Sequence, residues 1–183
     1  MKILYKILYI FILLNLPAFG LTIDEQIKIS NEATAICKLY NKPCVVQYSN
    51  QNKINGYTTR QGIIVLTSGL TNKLNYNEVR AVALHEVGHN VLDHYKRIDE
   101  FMDTWNLSKG TLVKFRHKME YEADLFATSY FLYNKEYNYL PEALMKIDPK
   151  LTASQTHPST PDRIYKMKQI NLIKVNNYKR IVM

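Results

Sequence analysis

The feature that most constrains this chain is His85-Glu86-Val87-Gly88-His89, two histidines four residues apart within a run of helical apolar spacing. On a helix, residues i and i+4 stack about one turn apart on the same face, so both imidazoles can reach one metal ion while Glu86 stands beside them. This is the His-Glu-x-x-His zinc pattern, in which the glutamate serves as general base. Its setting agrees. Asn75 with Glu78 forms an N-cap with an acid three residues on, and Leu74 with Val79 can close a hydrophobic staple, so a helix starts just ahead of the motif. Val79, Val82, Ala83, Leu84, Val87, Val91 and Leu92 place apolar groups nearly all round it, the pattern of a buried helix. A plain core helix would leave two imidazoles and a carboxylate unexplained in apolar surroundings. Gly88 costs a helix interior about 1 kcal/mol relative to alanine, which implies close approach of another element.

The chain ahead of the motif divides in two. Lys2 and Lys6, the apolar run Ile7 to Leu16, and Ala18-Phe19-Gly20 after Pro17 read as a signal peptide over residues 1–20. The apolar run is shorter than the roughly 20 residues of a membrane span, so cleavage is favoured over a retained anchor. The expectation is an exported protein, periplasmic or secreted, with no stable membrane span after cleavage and a single domain over residues 21–183. A length of 183 residues with 46% apolar content suits one globular domain with a real core. The formal charge of +8 comes from scattered lysines without a basic run, which reads as a solvated surface and not as a nucleic-acid site. In an oxidising compartment, Cys37 and Cys44 are expected to close a disulfide.

Thr22 with Glu25 forms a capping box for a first amphipathic helix that ends before Pro43. Strand-like runs follow at Val45 to Tyr48, Tyr57 to Arg60 and Gly62 to Thr67, the last apolar enough to lie inside a sheet and the second polar enough for an edge. The pattern implies a small sheet laid against the metal helix. Trp105 to Gly110 reads as a break, Thr111 to about Tyr133 as a long helix, and Thr160 as the N-cap of a last helix with Pro161 at its first position.

Catalytic zinc sites usually have three protein ligands, so the motif lacks one. Arg116, Glu120 and Asp124 form one stripe on the long helix, where Glu120 is the best placed third ligand and Asp124 can hold a ligand imidazole. Glu122 points about 160° away from Glu120 around that helix. His94 lies near the far end of the metal helix, but a metzincin site needs glycine at 92 and histidine at 95, where the chain has Leu92 and Tyr95. Cys44 stands upstream as in peptide deformylases, without the glycine- and cysteine-bearing signatures of that family.

Asn55-Gly56-Tyr57, the strand Gly62 to Thr67 with Gly69-Leu70, the zinc motif, Glu120-Tyr121-Glu122-Ala123-Asp124, and His157-Pro158 with Arg163 occur in the order seen in the HtpX and CAAX-prenyl-protease family of zinc metallopeptidases, which this chain resembles over roughly Asn55 to Arg163. The resemblance implies a gluzincin fold of α+β class, mainly helical with a small sheet on the active-site helix. It implies one Zn2+ on His85, His89 and Glu120 with Glu86 as catalytic base; Asp124 and Arg163 are expected behind the ligands, and His157, Arg163 or a nearby tyrosine could donate to the tetrahedral oxyanion. It also places His157 beside the zinc, as an oxyanion donor or as a fourth ligand that holds the enzyme latent. The partner is then a polypeptide, extended or misfolded, cut by a zinc endopeptidase. The rival is a non-catalytic periplasmic chaperone or binding module that retains the zinc site, against which the intact Glu86 weighs.

Overall fold

The computed structural model describes residues 20–104, 108–148 and 152–170. The signal segment, apart from Gly20, and Trp105 to Leu107 of the expected break lie outside the described residues. Helix α1 (Ile23–Leu39) opens with the capping box, Thr22 Oγ1 accepting from Glu25 N while Thr22 N donates to the Glu25 carboxylate. It buries Ile29, Ala33, Ile36 and Cys37 at the spacing of one helical face. Three strands follow, β1 (Val45–Ser49), β2 (Gly56–Thr58) and β3 (Ile63–Thr67), in the order β1-β3-β2. β3 is central, parallel to β1 and antiparallel to β2, with Thr58 opposite Ile64. The apolar run is thus the interior strand and the polar run an edge, as its composition predicts. β2 stops at Thr58, two residues before the expected end, because Thr59 to Gly62 make the turn into β3, with Gly62 N donating to Thr59 O at 3.0 Å. Gly62 takes φ +78, and a Cβ there would lie 2.4 Å from the Pro43 carbonyl oxygen.

After the short helix α2 (Ser68–Lys73) comes α3 (Tyr76–Val91), which carries the motif. Asn75 and Glu78 cap it reciprocally. Glu78 is buried and also pairs with Lys146 of α6 (Leu140–Ile147) at 2.6 Å. α3 is buried on nearly every side, against α1, β2, α5 (Lys109–Tyr133) and α6. It ends sooner than its sequence suggests. Asp93 takes φ +54 and pairs with Lys42 at 2.6 Å, the chain turns, and His94 opens a new helix, α4 (His94–Thr104). α5 begins at Lys109 behind a Ser108 cap, two residues early, and α7 (Thr160–Lys168) is capped by Ser159 and not by Thr160. The domain is mainly helical α+β. No helix among the described residues is long and apolar enough to cross a membrane.

The expected disulfide is absent from the structure: Cys37 and Cys44 stand as two buried free thiols. The hydrogen bond with Cys44, added to burial, pushes the Cys37 thiol up. Asn90, next to His89, donates to the Pro43 carbonyl at 2.6 Å and to Cys37 Sγ at 3.7 Å, which ties this turn to the end of the metal helix.

Gly88 is where α3 and α5 meet most closely. A Cβ there would lie 3.1 Å from both Ala123 Cα and Phe126 Cβ. Because the nearest atom is backbone, relief requires the helices to part. Gly88→Ala should therefore lose on the order of 1 kcal/mol net, overpacking outweighing the gain in helix propensity. Urea unfolding of the metal-free protein measures this, and a stabilised variant would contradict it.

Candidate metal centre

α3 puts His85 and His89 on one face with their Nε2 atoms 3.0 Å apart. α5, drawn close by Gly88, brings Glu120 across from them, with Oε2 3.5 Å from His85 Nε2 and Oε1 3.3 Å from His89 Nε2. One atom from each of the three residues lies within 4.8 Å of the others, a group able to hold a metal ion. These separations match the roughly 3.3 Å between donors around a tetrahedral ion with bonds of about 2.05 Å. Glu120 Oε2 is buried without a hydrogen bond of good geometry, although His157 Nδ1 at 2.9 Å and Arg163 Nη1 at 3.4 Å stand beside it. A desolvated acceptor left in this state among converging ring nitrogens fits a cation.

The surroundings supply the rest of the charge balance. Asp124, one turn beyond Glu120, has Oδ1 2.9 Å from His85 Nδ1. Arg163 of α7 donates to both Asp124 oxygens, from Nε at 2.8 Å and from Nη2 at 2.6 Å. It is buried, and its N–H groups face Asp124 and Glu120, so it braces the carboxylates and is not free to donate into the cleft. Burial alone would raise both carboxyl groups. Arg163 and His85 instead hold Asp124 below its usual range, and the three histidines hold Glu120 well below it. Glu86, Glu120, Asp124 and Arg163 together leave two negative charges when the histidines are neutral, the complement of one divalent ion.

Glu86 is also buried. Thr58 Oγ1 of β2 lies 3.0 Å from its Oε2 and 2.8 Å from its backbone oxygen, and Tyr95 of α4 donates to the Thr58 carbonyl. Neither Thr58 nor Tyr95 is marked by a motif; adjacency to Asn55-Gly56-Tyr57 is the sole hint for Thr58. His94, expected on the metal helix, packs on the back of His89 instead, with the Nδ1 atoms 2.8 Å apart. Burial drives its pKa down to about 4 despite Glu122, whose carboxylate is 3.2 Å from Nε2. Glu122 does point away from Glu120, as the helix geometry requires, but it is engaged with His94 and Arg97.

His157 stands on a fixed turn. Ser154 Oγ accepts from His157 N at 2.9 Å, Ser154 N donates to His157 O, and His117 of α5 binds the Ser154 carbonyl at 2.8 Å. Its side chain is 57% exposed and lines a cleft of about 560 Å³ with Tyr57, Thr58, Glu86, His89 and Arg116. A smaller pocket of about 130 Å³, which shares Glu86, Glu120 and His157 with the cleft, is lined by Val82, Leu140, Leu144, Ile147 and Pro158.

The model of peptidase family M48 matches this chain over residues 25–107 and 97–171. The chain belongs to that family, which includes the HtpX-like peptidases, and is a metallopeptidase. No curated protein matches it.

Without metal, burial pushes His85 down, but the hydrogen bonds of Asp124 and Glu120 outweigh that and hold its pKa up at about 9. At pH 7 the ring is therefore protonated, and a metal ion must displace that proton. Affinity for a divalent ion should rise about tenfold per pH unit and level off above about 9, with one proton released per ion at neutral pH. Calorimetry in two buffers of different ionisation heat checks this, and uptake without proton release would contradict it.

Proposed function

We propose that this metallopeptidase is an exported zinc endopeptidase that cuts extended or misfolded polypeptides with Glu86 as general base. The observation that carries the reading is the convergence of His85, His89 and Glu120 beside the Glu86 carboxylate in an open cleft. Two imidazoles and one carboxylate are a donor set suited to catalytic zinc, with one position left open. Zinc held there supplies a Lewis acid that polarises the scissile carbonyl and makes water a nucleophile near neutral pH.

The chain's own groups do the rest. Glu86 takes a proton from the attacking water and returns it to the leaving amine, and Thr58 fixes the carboxylate for both transfers. His157, whose Nδ1 lies 2.9 Å from Glu120 Oε2, lines the cleft, and a hydrogen on its Nε2 would let it donate to the developing oxyanion. Arg163 and Asp124 keep His85 aligned from behind. β2 pairs with β3 on one side, and its residues line the cleft, so a substrate strand can add along its other side by main-chain hydrogen bonds. Such binding selects extended chain. The apolar pocket beside Glu86 suits an aliphatic substrate side chain. Export is supported by Lys2, Lys6, the apolar run from Ile7 to Leu16 and Ala18-Phe19-Gly20.

Mature protein should cleave denatured casein, and Glu86→Gln should abolish cleavage with zinc retained. Glu120→Gln should lose most zinc at neutral pH. Binding of unfolded chains by zinc-loaded wild type without any cleavage would instead point to a chaperone. His157→Ala should lower activity by about 10² to 10³-fold with zinc content unchanged if His157 is the oxyanion donor; a rise in activity would make it a latency ligand. N-terminal sequencing of the exported protein should begin at Leu21, and an intact Met1 would count against signal cleavage.

A further inference from the structure

His89 turns Nε2 toward His85 and Glu120, which leaves its Nδ1 to be held from behind. That atom lies 2.8 Å from Nδ1 of His94, a ring only 1% exposed, and the two rings meet edge to face with their planes 81° apart. On the far side of His94, Nε2 lies 3.2 Å from Glu122 Oε2. Glu122 is fixed in turn by Arg97, whose Nη1 and Nη2 donate to its oxygens at 2.6 and 3.3 Å, with Lys118 at 3.8 Å.

This chain of contacts has a direction. Two ring nitrogens 2.8 Å apart hold one hydrogen between them, so one of the two is bare. An ionised carboxylate only accepts, so Glu122 draws the His94 hydrogen to Nε2 and leaves its Nδ1 bare. The shared hydrogen then belongs to His89 Nδ1, and His89 Nε2 keeps the lone pair that a metal ion needs. Were the order reversed, His94 would donate to His89, whose own hydrogen would sit on Nε2 and block the metal.

We infer that Glu122 and His94 are positioning residues that form a carboxylate–imidazole relay, setting the tautomer and ring orientation of His89 for metal binding. The inference rests on reading His85, His89 and Glu120 as the ligands. The two ligand histidines are then oriented by two carboxylates of α5 set two residues apart. Asp124 reaches His85 directly, while Glu122 reaches His89 through His94. The buried imidazole outside the donor set and the carboxylate turned away from Glu120 thereby acquire one shared task.

Chelator competition on folded, metal-free Glu122→Ala and His94→Ala should show zinc bound about 10 to 100-fold more weakly than by wild type, the usual effect of losing a group that orients a ligand. Because it compares folded states, a loss of stability does not imitate the effect. Nitrogen-15 spectra of the histidine rings in zinc-loaded wild type give a second reading that needs no variant: His94 should carry hydrogen at Nε2 alone, and His89 at Nδ1 alone. Should His94→Ala fail to fold, Glu122→Ala and these spectra decide. Undiminished zinc affinity in Glu122→Ala, or hydrogen on His94 Nδ1 in wild type, overturns the relay while the ligand reading stands. A wild-type protein that binds no zinc overturns the ligand reading itself.

Discussion

The interaction on which the rest of the structure depends is the burial of Glu120 and Asp124, two carboxylates one turn apart on α5, against the histidine face of α3. Taking such charges out of water costs several kcal/mol each, and like charges four residues apart on a helix repel. The cost is offset by Arg163, which lays its guanidinium across both, and by the imidazoles of His85 and His89. α3, α5 and α7 are therefore mutually dependent. Remove the arginine and only the imidazoles remain to compensate the two buried carboxylates.

Helix packing makes that electrostatic arrangement possible. Gly88 lets the backbone of α5 come close enough for Glu120 to meet both histidines, and the capped, fully buried α3 holds its motif on a rigid rod. Glu78 closes the cap and also anchors α6, whose Leu140 and Leu144 wall the apolar pocket beside Glu86. The sheet contributes its edge. β2 supplies Thr58 to Glu86, and its residues form part of the cleft wall.

Much of this was legible in the chain because local chemistry fixed it. Asn75 with Glu78 and Thr22 with Glu25 specify helix starts by hydrogen bonds spanning three residues, and both occur where the sequence puts them. The apolar run from Ile63 to Leu66 becomes the central strand because only that position buries both its faces. Boundaries decided by competition were harder to read. Ser159 displaces Thr160 as a cap, and β2 gives way to its turn at Thr59, where neighbouring residues offer nearly equivalent choices. The cysteine pair also departs from expectation, since proximity and burial bring the thiols together without making a bond.

By itself, the sequence determined the metal helix, the i, i+4 pairing of His85 with His89, the stripe holding Glu120 and Asp124, and membership of peptidase family M48, because each depends on spacing along one helix or on an ordered set of motifs. Tertiary structure decided what stands behind those residues. Thr58 reaches Glu86 from a strand 28 residues away, and Arg163 reaches Asp124 across 39 residues. His94 backs His89 only because the chain turns at Asp93, and Glu122 faces His94 only because α4 folds against α5. No periodicity records these contacts, since they arise where separate elements are brought together by the burial of their apolar faces.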